Sequence, residues 1–274
     1  MKLRELLSSV LSTEELKIMP ASFDTVGDII IFNDFPEELS KKEKEIAEKI
    51  IDNFKSINVV CKKVGKYSGI YRTPTLRIMG GKRRKETIHR ENDCRLKLHP
   101  EKVYFSSRTA TERKRICNLI KPGERVLVMF SGIAPLPCVI SRNTDAKEII
   151  GVEINPSAHK YGLDNLKLNK IKNVELINGD VRDILPNLKG KFDRILMPLP
   201  KIAEVYLDIA IDKVSKNGMI HLYSFISFED IPLMETKIKQ ICKSKGRSCE
   251  VKDVIKCGQF SPNEYRMSFD IIVN

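Results

Sequence analysis

Val126-Leu127-Val128-Met129-Phe130 is a short apolar run that passes into Ser131-Gly132-Ile133-Ala134-Pro135. A second run, Glu148-Ile149-Ile150-Gly151-Val152, ends in the acid Glu153, and a third, Asn173-Val174-Glu175-Leu176-Ile177, leads to Gly179-Asp180. Runs of this length, rich in β-branched residues, are what buried parallel strands look like, and open α/β sheets bind ligands at the strands' carboxyl ends. Small residues after the first strand let a ligand approach the backbone. An acid after the second suits a ribose diol, and an acid after the third suits an adenine amino group.

Three such segments in this order point to S-adenosylmethionine as cofactor. Downstream, Phe192–Met197 and Gly218–Tyr223 read as the fourth and fifth strands, and the segments 249–255 and 265–273 as an antiparallel closing pair. Helices are expected over 156–168 (capped by Asn155, with Pro156 in the first turn), 203–214 and 231–244. Seven strands closed by such a pair, with no G-x-G-x-x-G, fit a Rossmann-like class I methyltransferase sheet better than a dinucleotide dehydrogenase.

Upstream, an amphipathic helix is expected over 3–16, a strand over 26–32, a helix from an N-cap at Ser40 to Phe54, and strands near 59–61 and 86–89. Lys82-Arg83-Arg84-Lys85 sits on a turn, and a charged helix runs over 109–120. The expected organisation is an N-terminal extension (1–21), an α+β RNA-binding domain (22–110) and the methyltransferase domain (111–274).

The 274 residues carry a net charge of +12, and the excess is local. From Lys62 to Arg125 there are nineteen basic and six acidic residues, a balance of +13; the other 210 hold 29 and 30. Charge concentrated in this way marks a polyanion-binding surface. No apolar stretch approaches the roughly 20 residues that span a bilayer, and the start lacks a signal-peptide core, so a cytoplasmic protein is expected. Seven cysteines without a C-x-x-C pair, and four scattered histidines, give no metal site.

Several stretches together resemble one known family: Gly27-Asp28-Ile29, Arg72, Thr87-Ile88-His89-Arg90-Glu91-Asn92, Lys102-Val103-Tyr104-Phe105-Ser106, Thr111-Glu112-Arg113 and Met129-Phe130-Ser131-Gly132. They are similar to the archaeal and eukaryotic tRNA guanine-37 N1-methyltransferases and the related wyosine-pathway transferases, from about residue 22 onward. The resemblance implies that two domains clamp the anticodon arm of tRNA while a methyl group passes to the base beside the anticodon. It matches Arg72 and Glu112 to the base-engaging pair. A carboxylate at guanine N1 serves as general base, and an arginine near O6 stabilises the developing charge.

By the same likeness Arg113 lies near the cofactor, Phe130, Ser131 and Gly132 pass beneath its methionine part, Glu153 and Ile154 meet its ribose, and Asp180 and Val181 its adenine. Tyr104 either walls the cofactor or stacks on a base. Lys82, Arg83, Arg84, Arg108 and Arg115 are the candidate RNA contacts, although Arg115 and Arg108 are equally partners for Glu112 as a helix-surface carboxylate. His89 and His221 read as structural.

Three departures stand out. Where the family has Asn-Leu-Pro or Asn-Pro-Pro, this chain has Pro198-Leu199-Pro200, which places Pro198 and Pro200 at the acceptor and cofactor positions without a side-chain hydrogen-bonding group. Val128 stands where many relatives carry Asp. The additional small N-terminal domain of some relatives is not expected, which makes tRNA recognition local, centred on the anticodon arm; a monomer is expected. The leading expectation is N1-methylguanosine formation at position 37. The alternatives are methyl or aminocarboxypropyl transfer to a wyosine-type base there, and a non-catalytic RNA-binding protein.

Overall fold

Leu6, Leu7, Leu11 and Met19, apolar positions near the start of the chain, are buried in one core with Phe32, Leu39, Ile46, Ile50 and Val60. This core belongs to the first of two units in the computed structural model, which describes residues 3–69, Tyr71 and 73–274. The first unit comprises Met1–Glu91 with Arg95–Ser107, and the second Asn92–Cys94 with Arg108–Asn274.

In the first unit the single helix expected over 3–16 is two, α1 (Leu3–Leu7) and α2 (Thr13–Ile18). The break has a local cause. Ser12 and Glu15 form a reciprocal capping box, Ser12 N donating to Glu15 Oε2 at 2.7 Å and Glu15 N to Ser12 Oγ at 3.3 Å, and such a box starts a new helix.

The strand expected over 26–32 is likewise divided into β1 (Asp24–Val26) and β2 (Ile29–Phe32). Gly27 turns between them at φ +57°, where a Cβ would lie 2.2 Å from Thr87 Oγ1. A 3₁₀ segment, Glu37–Lys42, absorbs Ser40, so α3 (Glu43–Asn53) starts later than expected and without a side-chain cap.

β3 (Val59–Ser68) and β4 (Thr73–Gly81) complete a sheet in the order β1-β2-β3-β4. Its β2–β3 pair is parallel, with α3 in the crossover. β5 (Thr87–Glu91) and β6 (Cys94–Leu98) form a separate hairpin turning through Asn92 and Asp93, both at positive φ (41° and 63°). The turn residues group with the second unit, where Asn92 Nδ2 donates to Ala110 O at 2.9 Å.

The second unit alternates as the sequence predicts. After α4 (Ala110–Leu119) come β7 (Arg125–Met129), α5 (Pro135–Asn143), β8 (Glu148–Glu153), α6 (Pro156–Leu168), β9 (Val174–Asn178) and α7 (Val181–Asn187). Then follow β10 (Phe192–Met197), α8 (Leu207–Lys213), β11 (Val214–Ile226), α9 (Ile231–Ser244), β12 (Cys249–Gln259) and β13 (Tyr265–Val273). The helix expected over 203–214 is only its second half, because Ala203–Tyr206 winds as 3₁₀.

The seven strands lie in the order β12-β13-β11-β10-β7-β8-β9. β13 runs antiparallel to both β11 and β12, and the remaining strands are parallel. This is the Rossmann-like methyltransferase sheet, accompanied by a smaller N-terminal α+β unit. The chain winds outward from β7 in both directions, so its neighbours β8 and β10 flank the switch point where open sheets hold ligands. Among the described residues no helix is long and apolar enough to cross a membrane.

Candidate active site

Strand register brings the predicted cofactor residues to one edge. Val128 pairs with Leu196 and with Gly151, Met129 with Val152, and Glu153 with Asn178. The loops beginning at Phe130, Ile154, Gly179 and Pro198 therefore leave the sheet side by side at its carboxyl end.

The first of these loops is tightly wound. Phe130, Gly132 and Ala134 have φ of +58°, +57° and +62°, and two of them carry a Cβ that disfavours this region. The winding turns the Gly132 N–H toward Glu153 Oε2, at 2.7 Å. The other oxygen, Oε1, accepts from Asn155 N at 2.8 Å. Burial pushes the Glu153 carboxyl above the usual carboxylate range, with these two N–H donors opposing.

Ser131 is buried, and its Oγ has no hydrogen-bond partner. Ile154 stands exposed beside Glu153, while Val181 is buried in the core. Asp180 caps α7 by accepting from Arg182 N at 2.8 Å. Phe130 meets Tyr206 edge-on, with centroids 5.0 Å apart.

A second cluster sits on the face of the sheet that α4 covers. Glu112 is only 8% exposed. Arg115 grips it with a two-pronged contact, Nε to Oε2 at 2.8 Å and Nη2 to Oε1 at 2.7 Å, and the Tyr223 hydroxyl donates to Oε1 at 2.6 Å. Of the two expected partners, Arg115 is the one bonded, but the carboxylate is buried rather than on the helix surface. Tyr223 follows Leu222, which pairs with Met197, so it stands level with Pro198 at the carboxyl edge.

Arg115 also holds Asp270, Nη1 to Oδ2 at 2.6 Å. Asp270 Oδ1 meets His221 Nδ1 at 2.7 Å, and Arg194 Nη1 meets His221 Nε2 at 2.7 Å. Burial lowers the His221 pKa against the pull of Asp270. A neutral ring, Nδ1–H donating to Asp270 and Nε2 accepting from Arg194, satisfies both neighbours. Burial opposes charge on Asp270 too, but the bonds from His221 and Arg115 outweigh it and hold the carboxyl well below the usual range.

Arg72 lies outside the described residues. Tyr104, half-buried, belongs to the first unit, as does Phe105, which packs against the His89 ring with centroids 5.1 Å apart. Arg113 is buried and bonded to Thr109, whereas Arg108 is exposed. Lys82 and Arg83 are exposed on their turn. Arg84 is not equivalent to them. Its guanidinium is paired with Asp28, which also accepts from Thr87 Oγ1 at 2.7 Å and Asn58 Nδ2 at 2.8 Å. The sequence reading missed Tyr223 and Asp270, whose signal was a phenol and a carboxylate inside buried strand segments that also carry His221 and Ser268.

A profile described as the TRM5/TYW2 methyltransferase domain matches residues 87–252, and one described as the TYW2 N-terminal domain matches residues 3–84. The chain belongs to the TRM5/TYW2 methyltransferase family. Within that family it is 39% identical over 261 residues to tRNA (guanine(37)-N(1))-methyltransferase Trm5b of Pyrococcus abyssi, covering 94% of this chain and 76% of the relative. It is 30% identical over 305 residues to tRNA (guanine(37)-N(1))/4-demethylwyosine(37)-methyltransferase Taw22 of Nanoarchaeum equitans, covering 91% and 99%. The solved complex of aTrm5 with tRNALeu superposes with a TM-score of 0.85 at 32% identity, covering 100% of this chain and 78% of the other.

The TRM5/TYW2 cofactor is S-adenosylmethionine, and the loop geometry fits it. The orphaned Ser131 hydroxyl, the half-buried acceptor Glu153 and the exposed apolar Ile154 offer a polar partner, a diol acceptor and a face for a purine. A pH dependence follows. A ribose hydroxyl needs the ionised acceptor, and Glu153 protonates above the ordinary carboxylate range. Cofactor affinity, measured by calorimetry from about pH 8 down to about pH 5, should weaken at higher pH than an ordinary Glu, near 4.3, would cause. A flat profile would remove Glu153 from the ribose site.

Proposed function

We propose that the protein is an S-adenosylmethionine-dependent tRNA methyltransferase that forms N1-methylguanosine at position 37, acting as a cytoplasmic monomer on the anticodon arm. The observation that carries this reading is the likeness to Trm5b over 94% of the chain. The Glu112 cluster at the carboxyl edge supports it.

In this account Glu153, Ser131, Gly132, Ile154 and Asp180 hold the cofactor, which supplies an electrophilic methyl group when bound. Glu112 accepts the N1 proton of guanine as the ring nitrogen gains its new bond. Arg115 holds the carboxylate in place beforehand through its two hydrogen bonds. Pro198 and Pro200 narrow the acceptor pocket, and the Pro200 carbonyl is held by Phe225 N at 2.9 Å.

The test is a transcript tRNA with methyl-labelled cofactor. Guanosine at position 37 should yield labelled N1-methylguanosine and adenosine none; label at any other nucleotide would refute the reading. The prolines at 198 and 200 favour one second reading, transfer to a tricyclic base at the same position, because they present no side-chain acceptor to a guanine edge.

Exposed Lys82 and Arg83 are proposed phosphate contacts. Replacing both with alanine should flatten the slope of log Kd against log salt by about 1.4–1.8, since each contact contributes roughly 0.7–0.9. An unchanged slope would take the turn off the RNA. Arg84 is left out of this test because its removal would strip Asp28 of its ion-pair partner.

A further inference from the structure

The Glu112 carboxylate is held by more than its own helix. Arg115, one turn along α4, supplies two donors; Tyr223 on β11 supplies a third; and the thiol of Cys257 on β12 also faces it. Arg115 is in turn fixed from β13, by Asp270 Oδ2 at 2.6 Å and by Ser268 Oγ at 3.2 Å. Behind Asp270 stand His221 and Arg194, and Arg194 is anchored on Glu124, Nε to Oε2 at 2.8 Å. Resting on the proposed role of Glu112 as base, we infer that Tyr223 and the Arg115–Asp270 pair are positioning residues that aim the Glu112 carboxylate at the acceptor nitrogen.

Three features carry this. First, the geometry is over-determined. A glutamate side chain has three rotatable bonds, and donors from α4 and β11 together leave its carboxyl group one plane. Second, the contacts leave room for a substrate. An ionised carboxylate offers about four acceptor sites. Arg115 and Tyr223 fill three, two of them on Oε1, so these partners leave one acceptor site, on Oε2. Third, the chain of contacts is not a proton path. Arginine does not give up its proton in proteins, so the Arg115 link interrupts any relay toward Asp270 and His221. Orientation is what the network can supply. Burial and the neighbouring Glu112 charge raise the Tyr223 phenol well above its ordinary value, so it stays a donor throughout.

The test compares Tyr223→Phe, which keeps the ring and its packing, with Arg115→Lys, which keeps the charge and loses the fork. Each is measured for kcat and KM with transcript tRNA across pH, beside its thermal unfolding. Tyr223→Phe should lower the plateau kcat about tenfold, the scale of one lost hydrogen bond to a charged group. KM for tRNA and for cofactor should hold. The low-pH limb of kcat should move to higher pH, because a carboxylate that loses a donor protonates more readily.

Arg115→Lys should lower kcat further, with the limb moving in the same direction. Wild-type kcat and an unmoved limb in a folded Tyr223→Phe protein would overturn the inference, as would a loss confined to KM. Unchanged product identity in those variants would leave the proposed function standing. A fully active Glu112→Gln would remove the base itself, and the two failures are thereby separable.

Discussion

Glu112→Gln is expected to lower kcat about 10²–10⁴-fold, the range for loss of a general base, while tRNA and cofactor affinities stay near wild type. The amide keeps the size of the carboxylate and one acceptor oxygen, so Tyr223 retains a partner at Oε1. What it loses is the capacity to take the N1 proton and the charge that meets Arg115. Single-turnover measurement with saturating cofactor isolates this step from binding. A variant with wild-type single-turnover rate would show that the N1 proton leaves by another route, and Glu112 would then be a structural ion-pair partner.

Asp270→Ala is expected to have the largest effect on stability, about 3–5 kcal/mol, the cost of breaking a buried ion pair from one side. The variant leaves Arg115 with Glu112 and the Ser268 hydroxyl and takes the acceptor from His221, which is fully buried. The pH dependence has a definite sign. The folded Asp270 carboxyl lies below its unfolded value, so its contribution is complete above the ordinary carboxylate range and disappears as pH falls through the folded value. Urea unfolding of both proteins should show the gap wide at neutral pH and closing toward strong acid. A gap of constant size would mean that the loss is one of packing, not charge.

The sheet was legible in the sequence because its strands are short apolar runs punctuated by the residues proposed to bind the cofactor. Glu153 and Asp180 announced themselves as acids at strand ends, and Asn155-Pro156 as a helix start. β4 and β6 were not read: Thr73–Gly81 begins with Thr-Pro-Thr, a weak strand signal, whereas the apolar–charged alternation of Cys94–Leu98 is a strand signal that was left unused because the run is only five residues long. The capping box Ser12–Glu15 was there to be read, but the apolar spacing across it masked the break.

The Glu112 cluster was only half visible. Glu112 and Arg115 are three apart on a helix, a spacing that pattern alone assigns to a surface pair. Their burial depends on Tyr223 and Asp270, which lie 111 and 155 residues away and meet them only through the β11–β13 pairing. Arg84 shows the converse. Its place in a basic run suggests phosphate, yet Asp28, set against it by the Gly27 turn, claims it for the fold.

The most direct measurement is a structure of the protein with an anticodon-arm RNA and S-adenosylhomocysteine. The account predicts guanine 37 turned out of the RNA stack, its N1 within about 3 Å of Glu112 Oε2, and the cofactor ribose on Glu153. A guanine bound elsewhere while Arg115 and Tyr223 still enclose Glu112, or a ribose that leaves Glu153 untouched, would contradict it.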